Sequence, residues 1–486
     1  MKKKLFILTI LVALLSVSCD DFLDVNTDPN NPTVVSPDLV LPVGQVYTAK
    51  VMQQDRGINH LGNMMMYNWS ETYGFSWYGD EFRYNVTSVF YDQLFDDTYS
   101  STLKQYQDLT DLGEDYGHYK GIAAIMKAFH FQLMVDFYGD IPYSEALLRG
   151  ANPTPAYDDA ATIYEDLLVQ LEDAITMIKA ADALSTSVEP GADDAMFGGN
   201  STSWIQFANT LKIRILTRAS DVWPAATIAA EVATINAEGS GFIGDNVAVQ
   251  PGFVNEEGKQ NWYWAELGWK VDGTVVLSND ATCATQWIID YLNGLNDPRI
   301  NFMYEEPATG HLGVDQGLNV GDEYGADFVS NIGPGHLKAA DMEAVIFTLA
   351  EHHFNMAELA FKGFAVPGDA ETHFNLGIQA SFDYLGAGSS ASYISQSTPN
   401  VNFANSPNKI EAIITQKWLA TNGITAEQSW FDYSRTGYPA GLPVSNLAST
   451  PDRPVRLAYP ASEITANTAN VPAQPDVFNT KIFWAN

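Results

Sequence analysis

The chain has 486 residues, 46% apolar and 17% charged, with 25 Lys and Arg against 59 Asp and Glu and a net charge of −34. A chain this acidic repels phosphate backbones and anionic lipid, which excludes nucleic-acid binding and purely electrostatic attachment to a membrane. The chain has two cysteines, and if Cys19 is acylated Cys283 has no partner, so no internal disulfide is expected and core packing must supply the stability.

Residues 1–18 read as a secretory signal peptide: Lys2, Lys3 and Lys4, an apolar run from Leu5 to Val17, then Ser18 ahead of Cys19. The run falls short of the about 20 residues that a bilayer span needs. A cysteine at the cut resembles a lipoprotein box, although Leu15 stands one place earlier than usual. Cys19 is therefore the expected site of lipidation, and acyl chains held at about 0.8 kcal/mol per buried CH₂ would anchor the protein. Residues 19–38 are expected to form the lipidated tether. Its acid-, Asn- and Pro-rich character continues to residue 43, folding is expected to start near Leu39, and 39–486 is read as one body. Cys283 sits in an apolar context and reads as an inert buried thiol.

Helical periodicity then recurs in pairs. Apolar positions spaced near 3.6 predict helices over Tyr91–Leu112 and Tyr116–Tyr138, the latter stopped by Gly139 and Pro142. Ala160–Ala181 follows, then Ser203–Ser220 with Ala225–Ala237, Met342–Lys362 with Ala370–Leu385, and Asn408–Thr421 with Ala426–Tyr433. The fold class is mostly α. Periodicity alone leaves two architectures open, a degenerate tetratricopeptide-like array of helix pairs and an irregular all-α domain. Five stretches lack helical pattern: about 55–88, 239–282, 293–340, 386–407 and 434–486. They are rich in Gly, Asn, Trp and Tyr and are expected to form a loop-rich second layer on the scaffold.

Three segments carry a family resemblance. The first runs from Lys120 through Asp136, Phe137, Tyr138, Gly139, Asp140, Ile141 and Pro142 to Tyr143. The second is Ile413–Ala420 followed by Trp430, Phe431, Asp432, Tyr433, Ser434, Arg435, Thr436 and Gly437. The third spans Arg453 to Glu463, with Asn467 and Asn470 behind it. Together with the Cys19 leader, they resemble the SusD/RagB family of outer-membrane nutrient-binding lipoproteins, in its SusD-like 2 branch. The one departure is Ser434 where the family often has an arginine.

The resemblance implies a SusD-like tetratricopeptide scaffold, display on the outer face of the outer membrane, and a SusC-like TonB-dependent transporter as partner. It implies an oligosaccharide ligand, with a peptide ligand, or a lid with little affinity of its own, as alternatives, and no enzymatic activity. The motif residues themselves read as scaffold, with Lys417 and Arg435 pairing with acids such as Asp432 or Glu427.

Two aromatic clusters are the candidate ligand site. Trp69, Tyr73, Trp77, Tyr78 and Tyr84 lie in one segment with Asn68, Glu71 and Arg83; Trp262, Tyr263, Trp264 and Trp269 lie in another with Asn261 and Lys270. Sugar rings lay their C–H faces on flat aromatic surfaces while polar neighbours meet their hydroxyls. The same rings would also serve a transporter interface or anchor the loops by burial. Met64, Met65 and Met66 read as packing. No metal or cofactor is expected: His352 and His353 point apart on a helix, and no EF-hand loop or phosphate-cradling motif is present. Asp193-Asp194 and Asp96-Asp97 are the weak calcium candidates. Carboxylate pairs for glycoside hydrolysis, Glu71 with Asp80 or Glu266 with Asp272, can be cast but are of a kind common in so acidic a chain.

Overall fold

The computed structural model describes residues 36–485. The signal peptide, Cys19 and most of the expected tether lie outside the described residues. In chain order the elements begin with α1 (Pro37–Gln53), α2 (Ile58–Met65), β1 (Trp69–Glu71), α3 (Gly79–Arg83) and α4 (Asp92–Asp97). A π-helical turn at Thr98–Leu103 joins α4 to α5 (Lys104–Thr110). Then come α6 (Gly117–Tyr138), β2 (Ile141–Pro142), β3 (Tyr157–Asp158), α7 (Ala160–Asp182), α8 (Ser201–Ala219), α9 (Ala225–Glu238) and β4 (Val247–Val249). The middle of the chain supplies α10 (Trp262–Leu267), α11 (Leu277–Ala281), β5 (Thr282–Ala284), α12 (Gln286–Gly294), α13 (Ile300–Met303) and β6 (Ala344–Phe347). The last are α14 (Leu349–Phe361), α15 (Ala370–Leu385), α16 (Ala391–Ile394), α17 (Lys409–Thr421), α18 (Ala426–Thr436) and α19 (Ala461–Ala466).

Five of the long helices, α7, α8, α14, α15 and α17, start where the sequence offers a side-chain cap. Asp159, Asn200, Thr348, Asp369 and Asn408 each accept from the backbone N–H three residues on, satisfying a donor that the first turn leaves orphaned. Gly239, Gly386 and Gly437 end α9, α15 and α18 in the left-handed conformation that suits glycine. The paired arrangement is present: α6 packs on α7, α14 on α15, α17 on α18 and α1 on α5, while α8 bridges α7 and α14. One apolar cluster threads the scaffold from Val40 to Ala485.

Three expectations are corrected. The extended tether ends sooner than read, because α1 begins at Pro37; proline's fixed φ suits the first helical position, so it starts this helix. The expected helix at 342–362 begins only at Leu349. Ala344–Phe347 is a fully buried strand paired with β4, and Thr348, whose Oγ1 accepts from Glu351 N at 3.1 Å, caps the helix behind it. The stretch 55–88 is not all loop, since α2 is helical and buried throughout. Its Asn59 and Asn63 bond the Gly423 carbonyl and amide, at 3.0 and 2.9 Å, so polar residues sit where a periodic reading looks for apolar ones.

The motif residues are scaffold. Trp430 is buried and donates from Nε1 to the Pro454 carbonyl at 2.7 Å. Lys417 pairs with Asp432 at 2.7 Å, and Arg435 grips both Glu358 carboxylate oxygens at 2.6 and 2.7 Å. Glu427 is not their partner; burial pushes its carboxyl up to about 8. Met64, Met65 and Met66 are buried, as is the thiol of Cys283.

Candidate ligand-binding site

The first aromatic segment leaves the scaffold at α2. Asn68, just beyond that helix, accepts from Trp418 Nε1 of α17 at 2.8 Å, which ties the start of the segment to a motif helix. β1 then pairs antiparallel with β5, Ser70 opposite Cys283 and Glu71 opposite Thr282. Thr72 N donates to the Ala281 carbonyl and Tyr73 N to the Tyr324 carbonyl, at 3.0 and 2.9 Å. Gly74, with φ at 98°, turns the chain outward in a conformation that favours glycine.

The loop that follows is cinched from both sides. The Glu71 carboxylate accepts from the amides of Trp77 and Tyr78. Arg56 donates to the Trp77 carbonyl at 2.9 Å and faces Glu81 at 3.9 Å. Tyr78 turns inward, its hydroxyl on Thr282 Oγ1 at 2.7 Å. Tyr73 and Trp77 consequently face solvent, 48% and 42% exposed, with Phe75 edge-on to Trp77 at 5.1 Å between ring centres.

A cavity lies on either side of this loop. One, of about 560 Å³, is bordered by Glu71, Tyr73, Phe75, Arg83, Leu318 and Asn319. The other, of about 600 Å³, is bordered by Asp55, Arg56, Trp77, Glu266, Leu277 and Ser278. Arg83 is exposed at the first, its guanidinium donating to the Gly79 carbonyl at 3.0 Å.

The other candidate rings have structural places. Trp69, Tyr78, Tyr84 and Tyr263 are buried, and Trp69 packs against Tyr263 at 6.5 Å between ring centres. Trp262, Trp264 and Trp269 are half-buried against the core; Trp264 and Trp269 lie 4.9 Å apart. The second cluster is not loop, because Asn261 accepts from Trp264 N and caps α10. What α10 brings to the cavity is Glu266, which no aromatic pattern could have pointed to. Asp55, Arg56, Leu277 and Leu318 escaped the sequence reading for the same reason, and Phe75 was passed over although it alternates with Tyr73 and Trp77. Asp55 and Arg56 carried a different signal, as a charged pair directly before Gly57.

The carboxylate pairs cast for hydrolysis are not assembled. Glu71 is spent on loop amides, and Asp272 caps its own turn through Thr274. Glu266 instead neighbours Asp55; burial and then that neighbouring charge push its carboxyl up to about 7. The calcium candidates are also engaged. Asp194 takes the Gln45 amide and Trp204 Nε1, at 2.7 and 2.8 Å, and Asp96 takes the Ser462 hydroxyl at 2.7 Å. His353 meets His373 at 3.2 Å, and no set of three ligands placed to hold a metal occurs among the described residues. No helix among those residues is long and apolar enough to cross a membrane.

Among solved structures, a chitin-binding SusD homologue from Flavobacterium johnsoniae is similar, with a TM-score of 0.76 at 22% identity over 91% of this chain and 98% of that one. A SusD homologue from Bacteroides uniformis gives 0.74 at 23% identity over 92% and 99% of the two chains. A SusD-like protein from Bacteroides thetaiotaomicron gives 0.75 at 22% over 93% and 99%. No curated protein sequence matches. The helix pairs and the loop layer seated on them are thus the SusD-like fold. The sequence itself matches the SusD-like 2 family, described as starch-binding and associating with the outer membrane, over residues 29–460, and the chain belongs to that family.

Proposed function

We propose that this protein captures carbohydrate at the cell surface without catalysis and hands it to a SusC-like TonB-dependent transporter. Lipid on Cys19 would hold it at the outer face of the outer membrane. One observation carries the reading: the Tyr73–Trp77 loop is pinned by Glu71 and Arg56 so that two rings face solvent between two cavities. A rigid aromatic platform with polar groups at its edges fits a sugar ring, whose apolar face needs area and whose hydroxyls need partners. The family's description and the chitin-binding homologue support the ligand class. The ligand contacts are then Tyr73, Trp77 and Arg83, joined by Phe75, while Trp69, Tyr78, Trp262, Tyr263, Trp264 and Trp269 hold the layer that presents them.

Titration with a panel of starch and chitin oligosaccharides tests this. Trp77→Ala should weaken the best-bound member by about 2 kcal/mol, roughly 30-fold. Its unfolding free energy should stay within about 0.5 kcal/mol of wild type, because the ring is largely outside the core. Unchanged affinity in the variant would remove the platform from the account, and turnover of any panel member would remove the non-catalytic reading.

A further inference from the structure

The cavity of about 600 Å³ beside Trp77 has a wall that a neutral sugar would leave unused. Asp55 and Glu266 both line it, brought together from the end of α1 and from α10. Neither has a cation within ion-pair distance among the described residues. Arg56, which also borders the cavity, is committed to the Trp77 carbonyl and to Glu81. His60 packs behind Tyr78 with its rings 5.2 Å apart and its Nε2 without a hydrogen-bond partner. Burial lowers its pKa to about 4, so it brings no positive charge. Trp77 and the exposed Leu277 also border the cavity.

We infer that this cavity receives a protonated amine carried on a sugar, with the Asp55 and Glu266 carboxyls taking the ammonium and the Trp77 face taking the ring that bears it. The inference rests on the carbohydrate reading above and names the class of sugar. An ammonium has three N–H donors and no acceptor. The cavity offers it two carboxyls and the Ser278 oxygen, whose own proton goes to the Glu266 carbonyl at 2.5 Å. The indole face adds cation–π attraction. An N-acetylated sugar presents one N–H and no charge to the two carboxyls. The raised Glu266 pKa agrees with this: burial and then the neighbouring Asp55 charge favour a proton on Glu266, which an arriving ammonium displaces. The net charge of −34 draws cationic oligomers toward the whole molecule.

The test is calorimetric titration of the protein at about pH 6, where amino-sugar amines are protonated. The probes are a fully deacetylated glucosamine tetramer, its N-acetylated counterpart and a tetrapeptide containing lysine. Wild type should bind the amine oligomer about tenfold more tightly than the acetylated one, the scale of a hydrogen bond to a charged group. Glu266→Gln should erase that preference while leaving the acetylated oligomer's affinity within about twofold; Asp55→Asn should do the same. Equal affinities, a preference for the acetylated oligomer, or a preference that survives both substitutions overturns the inference and leaves the carbohydrate reading standing. Tighter binding of the peptide overturns the assignment to a sugar. Failure of wild type to bind any carbohydrate overturns both readings together.

Discussion

Arg435→Ala should lower the unfolding free energy by about 3 kcal/mol at pH 7, the scale expected when one partner of a buried ion pair is removed. Arg435 is buried and reaches both Glu358 oxygens, with Asp221 at 2.9 Å and Asp432 at 3.3 Å. Without it Glu358 keeps, among the described residues, only Lys362 at 2.8 Å as a cation. Lys362→Ala should cost about 1 kcal/mol or less, because that end of the network is partly exposed. The pH dependence has a definite sign. Arg435 and then Lys362 overcome the burial penalty and hold the Glu358 carboxyl down at about 2, below the ordinary 4.5. Its contribution is therefore complete above pH 4.5 and is lost as the pH falls toward 2. In Arg435→Ala that carboxyl protonates more readily, so the gap between variant and wild type should narrow on acidification. Urea unfolding at neutral and acid pH measures both effects. A gap that widens toward acid would contradict this account of the network.

Gly62→Ala should be comparably damaging, by about 3 kcal/mol or more, through overpacking and not through charge. Gly62 lies in α2 where that helix meets the start of α18. A β-carbon there would run into the Glu427 amide nitrogen and the Ala426 carbonyl carbon, both backbone. Backbone cannot rotate aside as the end of a side chain does, so the helices must separate. The same contact steadies the root of the ligand loop, since Asn59 and Asn63 bond Gly423 and Asn68 bonds Trp418 across it. Thermal unfolding and carbohydrate affinity should fall together in this variant, whereas Trp77→Ala should lower affinity alone.

These residues also mark where sequence reading succeeds and where it stops. The long helices were legible because amphipathic spacing, Asp or Asn caps and terminal glycines act within a few residues of one another. Ala344–Phe347 was misread as helix because an apolar tetrapeptide fits either period, and only pairing with distant Val247–Val249 decides it. α2 was missed because its polar residues are satisfied by the turn after α17, far along the chain. At the site, the density of aromatics near residue 75 was visible, but the division between buried Trp69 and Tyr78 and exposed Tyr73 and Trp77 depends on Glu71 and Arg56 clamping the loop. The sequence offered Asp272 as the partner of Glu266; its meeting with Asp55 instead follows from the packing of α10 beside α1.

The central claim is that a pinned loop offers Tyr73 and Trp77 as the carbohydrate platform. A crystal structure of the protein with the tightest-binding oligosaccharide of the panel tests it most directly. The account predicts a sugar ring stacked on Trp77, with neighbouring units reaching into the cavities beside Tyr73 and Glu266. Density instead in the groove between Tyr99, Pro142 and Glu463, with the Trp77 face empty, would contradict it.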